Sequence, residues 1–518
     1  MNLLRAASTI SLLTLVSRIT GLAREVVVAS MFGAGAGVDA YQVAFRIPNL
    51  LRRLFGEGAF AQAFVPVLAQ TRAVEGDEHT RGLINAVATI LFWSLLVTCV
   101  VGVVAAPIVV WLMGSGLAQF DAAVVMTRWM FPYIGFISLV SLAAGVLNTW
   151  KRFAVPAATP VLLNLASIGA AWWLAPQFGR WGFEPIYALA AGVLLGGVLQ
   201  LAVQVPALLR IGALPRIGLS WPSIRAARSH PGVRRVLRQM APALVGVSVA
   251  QLSVMINTQI ASHQGVGAVS WITYADRLME FPTALLGVAL SVVLIPQLSA
   301  AQAKQDIETY SGLLDWGLRL VLLLALPCTV ALLVFPDALI AVLFQRGKFG
   351  AASVPQTAHA LMGYGVGLMG IIGVKILAPG YYARQDVRTP VKIAVVVLVL
   401  TQLLNLLFVP MFRHAGLTLS IGVGAMVNAL WLFIGLRRAG WYTPAPGWGA
   451  FALRVALAAT LLGMLLGWAA HAIVWIDLVG HEARRIALLA ACLGGATLLY
   501  FATLLATGLK LRHFMRRG

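Results

Sequence analysis

The sequence predicts an all-α polytopic membrane protein of about 14 transmembrane helices, and three observations lead there. Of its 518 residues, 60% are hydrophobic and only 11% are charged, and the mean hydropathy is +0.88. The apolar residues fall in long continuous runs, each near or above the ~20 residues a helix needs to cross a bilayer. The sequence lacks the short alternating segments of a lipid-embedded β-barrel. A formal charge of +21 would point to nucleic acid in a soluble chain. Here the cations collect in alternate short loops, so no nucleic-acid partner is expected.

In chain order the spans centre on 7–32, 38–68, 82–113, 122–147, 154–176, 186–209, 236–262, 267–300, 310–343, 357–381, 390–411, 416–436, 448–475 and 485–508. The first run carries Arg5 but no small-residue cleavage site, so it is expected to be a retained helix rather than a signal peptide. No connection is long enough to bury a soluble core. The longest, Arg210 to Arg238, is basic, contains Pro215 and Pro222, and could hold a short interfacial helix. The expected organisation is therefore an N-terminal lobe at 1–210, a basic cytoplasmic linker at 211–235, a C-terminal lobe at 236–440, and two extra helices with a basic tail at 441–518.

The two lobes are expected to be pseudo-symmetric six-helix units, because an internal repeat recurs at an offset of about 230 residues. Gly35 and Gly37 match Gly265 and Gly267, Tyr41 matches Trp271, Pro66 matches Pro296, and Gly82 matches Gly312. Six spans separate the copies, so both have the same topology and the repeat axis runs along the membrane normal. The last two spans fall outside the repeat. Of the 38 Lys and Arg residues, 22 lie at the N-terminus, in alternate loops and in the tail, against six in the intervening loops. That bias places both termini in the cytoplasm of a multi-pass protein.

The remaining ten cations lie within spans. An ionised side chain at the bilayer centre costs roughly 2.5–3.5 kcal/mol, so such residues need a wet or paired setting. The densest group runs from Ser17 to Pro66: Ser17, Arg18 and Arg24 in the first span, then Asp39, Arg46, Asn49, Arg52, Arg53 and Glu57 in the second. On a straight helix Asp39, Arg46, Arg53 and Glu57 share one stripe with Asn49 beside it, and Arg52 lies well round from it. Asp276, Arg277 and Glu280 hold the equivalent place in the second half. Snorkelling, or neutralisation by Asp39 and Glu57, would explain any one arginine. A surplus of cations points instead to a cavity for an anionic ligand, and a guanidinium fork suits a diphosphate. Lys375 and Arg319 are further candidates, better explained by snorkelling; Arg128 and Arg454 read as interface anchors, and Asp315 as a locally paired group. The histidines lack metal-site spacing and there is no phosphate-binding GxxxxGK[ST] loop, so neither a metal, a cofactor nor ATPase chemistry is expected. Cys99, Cys328 and Cys492 lie in apolar runs and read as buried thiols.

Several runs carry a resemblance: Ser17-Arg18, Gly21-Leu22-Ala23-Arg24, Phe32-Gly33-Ala34-Gly35, Asp39-Ala40, Pro48 to Arg53 and Glu57 to Phe60. Leu147 to Trp150, Tyr274 to Pro282, Leu377 to Gly380 and Arg384 to Asp386 extend it over essentially the whole chain. In these the sequence resembles the MurJ/MviN family of lipid II flippases, within the multidrug/oligosaccharidyl-lipid/polysaccharide exporter superfamily. The resemblance implies two six-helix lobes with two added helices that offer a groove for a polyprenyl tail. It also implies cavity arginines at Arg18, Arg24, Arg52 and Arg277, with Asp39 contributing. The helical wheel favours Arg53 over Arg52, and both stay as candidates. The expected function is movement of lipid II, the undecaprenyl-diphosphate-linked disaccharide pentapeptide, across the bacterial inner membrane by alternating access for cell-wall synthesis. Membrane lipids and cell-wall synthesis proteins are the expected further partners, and a coupling ion or the membrane potential the driving force. The alternatives are an exporter of another polyprenyl-diphosphate glycan and a non-transporting cell-wall scaffold.

Overall fold

The computed structural model describes residues 3–53 and 60–509, and these are helical with short connections and no β-strand. The chain packs as two compact units, Met1–Ser270 and Trp271–Gly518. In the first unit α1 (Leu3–Phe32) ends at Gly33, whose positive φ turns the chain into α2 (Ala36–Leu51). Next come α3 (Ala61–Val104), α4 (Ala106–Gly114), α5 (Phe120–Met130), α6 (Tyr133–Thr149), α7 (Ala154–Gly169), α8 (Ala175–Arg180) and α9 (Tyr187–Arg210). A short α10 (Trp221–Ser229) lies in the basic connection and is capped by Ser220, before α11 (Pro231–Ser262) and α12 (Ala268–Pro282). The run labelled α3 is broken at Gly76, where φ is +83°; only glycine reaches that conformation cheaply.

The first unit is held by α1 against α7, α7 against α9, and α3 against α6. Phe64, Leu68, Leu83, Ile84, Val87, Leu142, Val146, Leu147, Val233 and Val236 form one buried cluster. The packing division falls at Ser270 rather than inside the 211–235 linker, because α11 lies along α3 and α4.

The second unit continues with α13 (Ala289–Ala303), α14 (Ile307–Val334), α15 (Pro336–Phe344), α16 (Ser353–Tyr382), α17 (Arg388–Phe412), α18 (His414–Arg438), α19 (Trp448–Ala472) and α20 (Glu482–Ala506). Asp306 caps α14 by accepting the Thr309 amide at 2.9 Å. The Thr309 side chain and amide hold the exposed Asp306 carboxyl below its usual range. Three prolines fall where helices break or start, Pro132 before α6, Pro282 before a π-helical turn at Thr283–Val288, and Pro336 at the start of α15, while others such as Pro160 and Pro327 lie within helices.

Among the described residues, ten helical stretches are long and apolar enough to cross a membrane. Their burial separates centre from rim: 67% of the most apolar window of Ser353–Tyr382 is buried, against 17% for Glu482–Ala506. The rim helices expose Leu, Met and Trp freely, as Leu406, Leu453, Met464, Trp468 and Leu498 do. Such faces suit hydrocarbon, where helices associate by close packing rather than by hydrophobic exclusion. Close packing joins α16 to α18, where Gly363 opposes Ala415 to Leu419 and Gly367 and Gly370 oppose the Gly422 to Met426 stretch; a Cβ at Gly367 would run into the Gly422 backbone.

Two buried polar knots fix the last two helices to α14 and α15. Asp315 accepts from Arg319 Nε (2.8 Å), Tyr442 Oη (2.9 Å), the Ala445 amide (3.1 Å) and Trp448 Nε1 (2.6 Å). Arg319 also lies over the Trp448 ring and donates to the Pro446 carbonyl, so its expected snorkelling is corrected to an internal pair. Arg485, counted with the loops by its sequence position, has no exposed surface. It donates to the carbonyls of Ala341 and Gln345 and to Glu482.

Gly367→Val should cost about 1–3 kcal/mol or more, the usual range for overpacking, while Gly449→Val, at a glycine with nothing within 4 Å, should be nearly neutral. Thermal unfolding of the purified protein in detergent measures both.

Candidate functional site

Four intramembrane charges of the first unit link helices: Arg24 and Glu25 join α1 to α2, and Asp39 and Arg46 join α2 to the 258–270 stretch. Arg24 is 4% exposed and Glu25 2%. They form an ion pair of 2.6 Å, and Gln42 Nε2 on α2 donates to the other Glu25 oxygen at 3.3 Å. The Arg24 guanidinium lies 5.2 Å from the Phe45 ring centre, so an aromatic face covers it as well. Arg24 is therefore compensated within the protein. Ser17 and Arg18 are half-buried on α1, and the Ser17 carbonyl accepts from Asn164 Nδ2 at 3.0 Å.

Asp39 is 3% exposed, and both its oxygens are engaged. One accepts the Gly267 amide at 2.6 Å; the other accepts the Ser270 amide at 2.8 Å and the Ser270 hydroxyl at 2.6 Å. These amides open α12, whose N-cap position is a glycine without a side chain. Asp39 thus supplies from α2 the cap that Gly267 cannot, and its negative charge suits a helix N-terminus. Two turns further along α2, Arg46 Nη1 donates to the fully buried Thr258 hydroxyl at 2.6 Å, which itself donates to the Val254 carbonyl. Asp39 and Arg46 both face the 258–270 stretch, in keeping with the expected stripe.

The stripe changes register after Asn49. Residues 52 and 53 adopt a π-helical turn, which shifts side chains from their α-helical positions. Arg52 is half-buried and donates through Nε to Asn49 Oδ1 at 3.3 Å, while Asn49 donates to the Phe45 carbonyl; Arg53 is exposed. Glu57 lies outside the described residues. In the second unit Arg277 Nη1 pairs with Glu280 at 2.8 Å, with side chains 29% and 35% exposed, and Asp276 beside them is half-buried. Glu25, Gln42 and Thr258 were missed from sequence. Glu25 was detectable by the rule that found Arg24, being the next residue in the same apolar run; Thr258 gave no signal, since it lies 212 residues from Arg46.

The fold is that of a multi-pass helical membrane protein built like the transporters of the multidrug/oligosaccharidyl-lipid/polysaccharide (MOP) superfamily. A lipid II flippase in an inward closed conformation superposes with a TM-score of 0.80 at 21% identity, covering 98% of this chain and 99% of that one. An inward-facing multidrug transporter of the MATE family in the MOP superfamily superposes at 0.65 with 16% identity, covering 82% and 94%. The sequence narrows the class. The family model described as lipid II flippase MurJ matches residues 28–480. The lipid II flippase MurJ of Burkholderia cenocepacia is 55% identical over the full length of both chains. The probable lipid II flippase of Vibrio cholerae is 36% identical over 99% of this chain and 97% of its own. The chain belongs to the MurJ family.

Removing one partner of a buried ion pair strands the other charge, which typically costs about 3–5 kcal/mol. Glu25→Ala should therefore lower the melting temperature markedly. Glu25→Ala combined with Arg24→Met should recover much of the loss, a coupling that a double-mutant thermal melt reads directly.

Proposed function

We propose that this chain carries lipid II, the undecaprenyl-diphosphate-linked peptidoglycan precursor, from the cytoplasmic to the periplasmic leaflet of the bacterial inner membrane. The observation that carries this is the 55% identity to a lipid II flippase along the full length of both chains. The arginines in the apolar spans give it chemical sense. Arg18, Arg52 and Arg277 bind the diphosphate and the head group, and Arg24 joins them by exchanging its Glu25 partner for the substrate, with Ser17, Asn49, Arg53, Asp39, Glu57, Asp276 and Glu280 around them. A guanidinium keeps its charge when partly desolvated and donates two parallel hydrogen bonds to a phosphate.

The lobes at 1–210 and 236–440, joined by the 211–235 linker, rock about the bound head group while the polyprenyl tail stays in lipid along the helices of 441–518. Both termini lie in the cytoplasm, which follows from the loop charges. Export of about two negative charges from a negative-inside cell gains roughly 2.3 kcal/mol per charge per 100 mV if they cross the whole field, so the potential favours this direction. Cell-wall synthesis enzymes take the exported precursor.

Purified protein in liposomes should move fluorescent lipid II between leaflets, and Arg277→Ala should reduce the rate at least tenfold with the melting temperature little changed. Unchanged flipping in that variant would remove Arg277 from the site. Equal transport of a different polyprenyl-diphosphate glycan would overturn the substrate assignment.

A further inference from the structure

We propose that the first unit holds a binding site for one anionic glycerophospholipid, with its head group at the basic connection before α11 and one acyl chain in a groove between α3 and α6. Two separate features lie on one stripe of α3. Residues 85, 89, 93, 96 and 100 recur at helical spacing and share a face.

The first half of that stripe pins the connection. Asn85 Oδ1 accepts the Arg216 amide at 2.8 Å, Thr89 Oγ1 accepts the Gly218 amide at 2.9 Å, and Trp93 Nε1 donates to the Gly218 carbonyl at 3.0 Å. Ala227 of α10 is buried in the same cluster as Leu83, Ile84 and Ala88 of α3. The connection is thus fixed to a membrane-crossing helix at the level of its first apolar turns. It carries Arg216, Arg225 and Arg228, with Arg210 at the end of α9 and Arg234, Arg235 and Arg238 in the first turns of α11; this stretch has no acid, and all seven side chains are exposed. Leu219 and Trp221 beside them are 72% and 76% exposed. Exposed Trp and Leu among unopposed arginines, held at the edge of an apolar span, match the head-group layer of an anionic leaflet.

The second half of the stripe is open. An apolar groove of about 460 Å³ starts at Phe92 and runs along Leu96 and Val100 to Val104, with Pro132, Gly135 and Phe136 forming its far wall. Gly135 keeps that wall low. The helix from Phe92 to Val104 spans roughly 18 Å, close to the roughly 15 Å that half of a ~30 Å hydrocarbon core provides. The groove therefore has the length of one acyl chain and begins one residue from the point where the arginine-bearing connection is tied down. A ligand with an anionic head and a single-leaflet hydrocarbon tail fits both parts at once; a soluble anion would use only the first, a neutral lipid only the second.

The test uses the full-length protein in detergent with phosphatidylglycerol or phosphatidylcholine carrying a photoactivatable group in the acyl chain, and maps adducts by mass spectrometry. Phosphatidylglycerol should label residues 92–104 and 132–139 several-fold more than phosphatidylcholine. The preference should disappear in Arg225→Gln/Arg228→Gln and persist in Arg437→Gln/Arg438→Gln, which loses the same charge elsewhere. Leu96→Trp, at a half-exposed site, should block labelling with an unchanged melting temperature. Equal labelling by the two lipids would make the groove ordinary lipid contact and overturn the proposal. So would labelling unaffected by the Arg225/Arg228 change, or preferential labelling by a polyprenyl phosphate at the same concentration. Binding is read without transport, so its outcome is separate from that of the flipping assay.

Discussion

Charge placed in an apolar helix has to be answered by the protein itself, and the organisation of the described residues follows from that constraint. Arg24 is answered by Glu25, Arg46 by Thr258, Asp39 by the amides that open α12, Asp315 by four donors, and Arg485 by two carbonyls and Glu482. Each answer ties one helix to another, apart from the Arg24–Glu25 pair, which reaches α2 through Gln42. The polar groups therefore decide which helices are neighbours at fixed points, a specificity that hydrocarbon-facing Leu and Val surfaces cannot supply. These charges hold the fold, because each has its partner within the protein.

Between the polar points, packing is set by small residues. The α16–α18 contact runs through glycines because two backbones approach too closely for any side chain. The rim helices instead spend their surface on lipid. The two kinds of contact do different work: glycine packing brings the central helices together, and the Asp315 and Arg485 knots fasten α19 and α20, which bury little of themselves otherwise.

The helices were legible in the sequence because bilayer thickness imposes a length that a hydropathy pattern displays. The expected span at 236–262 corresponds to α11 (Pro231–Ser262) and that at 448–475 to α19 (Trp448–Ala472). The joints before α2 and α12 both turn on glycines of positive φ, Gly33 before α2 and Gly265 and Gly267 before α12, whereas Gly35, which the repeat pairs with Gly265, is extended with φ −151°. The partners of the charges were not legible. A helical wheel advances each residue by one fixed angle, so it fails at the π-helical turn of Arg52 and Arg53. It also sees one helix at a time, so nothing in it identifies Thr258 for Arg46, or Gly267 and Ser270 for Asp39. Arg485 was misplaced because a residue at the edge of an apolar run looks like loop, whereas a shell of carbonyls there buries it completely.

The cap that Asp39 provides for α12 spans 228 residues of chain. A ribosome makes α2 long before the turn at Gly267 emerges, so during biosynthesis the Asp39 carboxylate must wait through the insertion of nine intervening helices before its amide partners exist. In that interval it depends on water, or on a temporary companion such as Arg46 two turns away. The nascent first unit therefore has a built-in reason to stay incompletely closed until α12 arrives, which sets a direction for assembly that no contact inside α2 alone would impose.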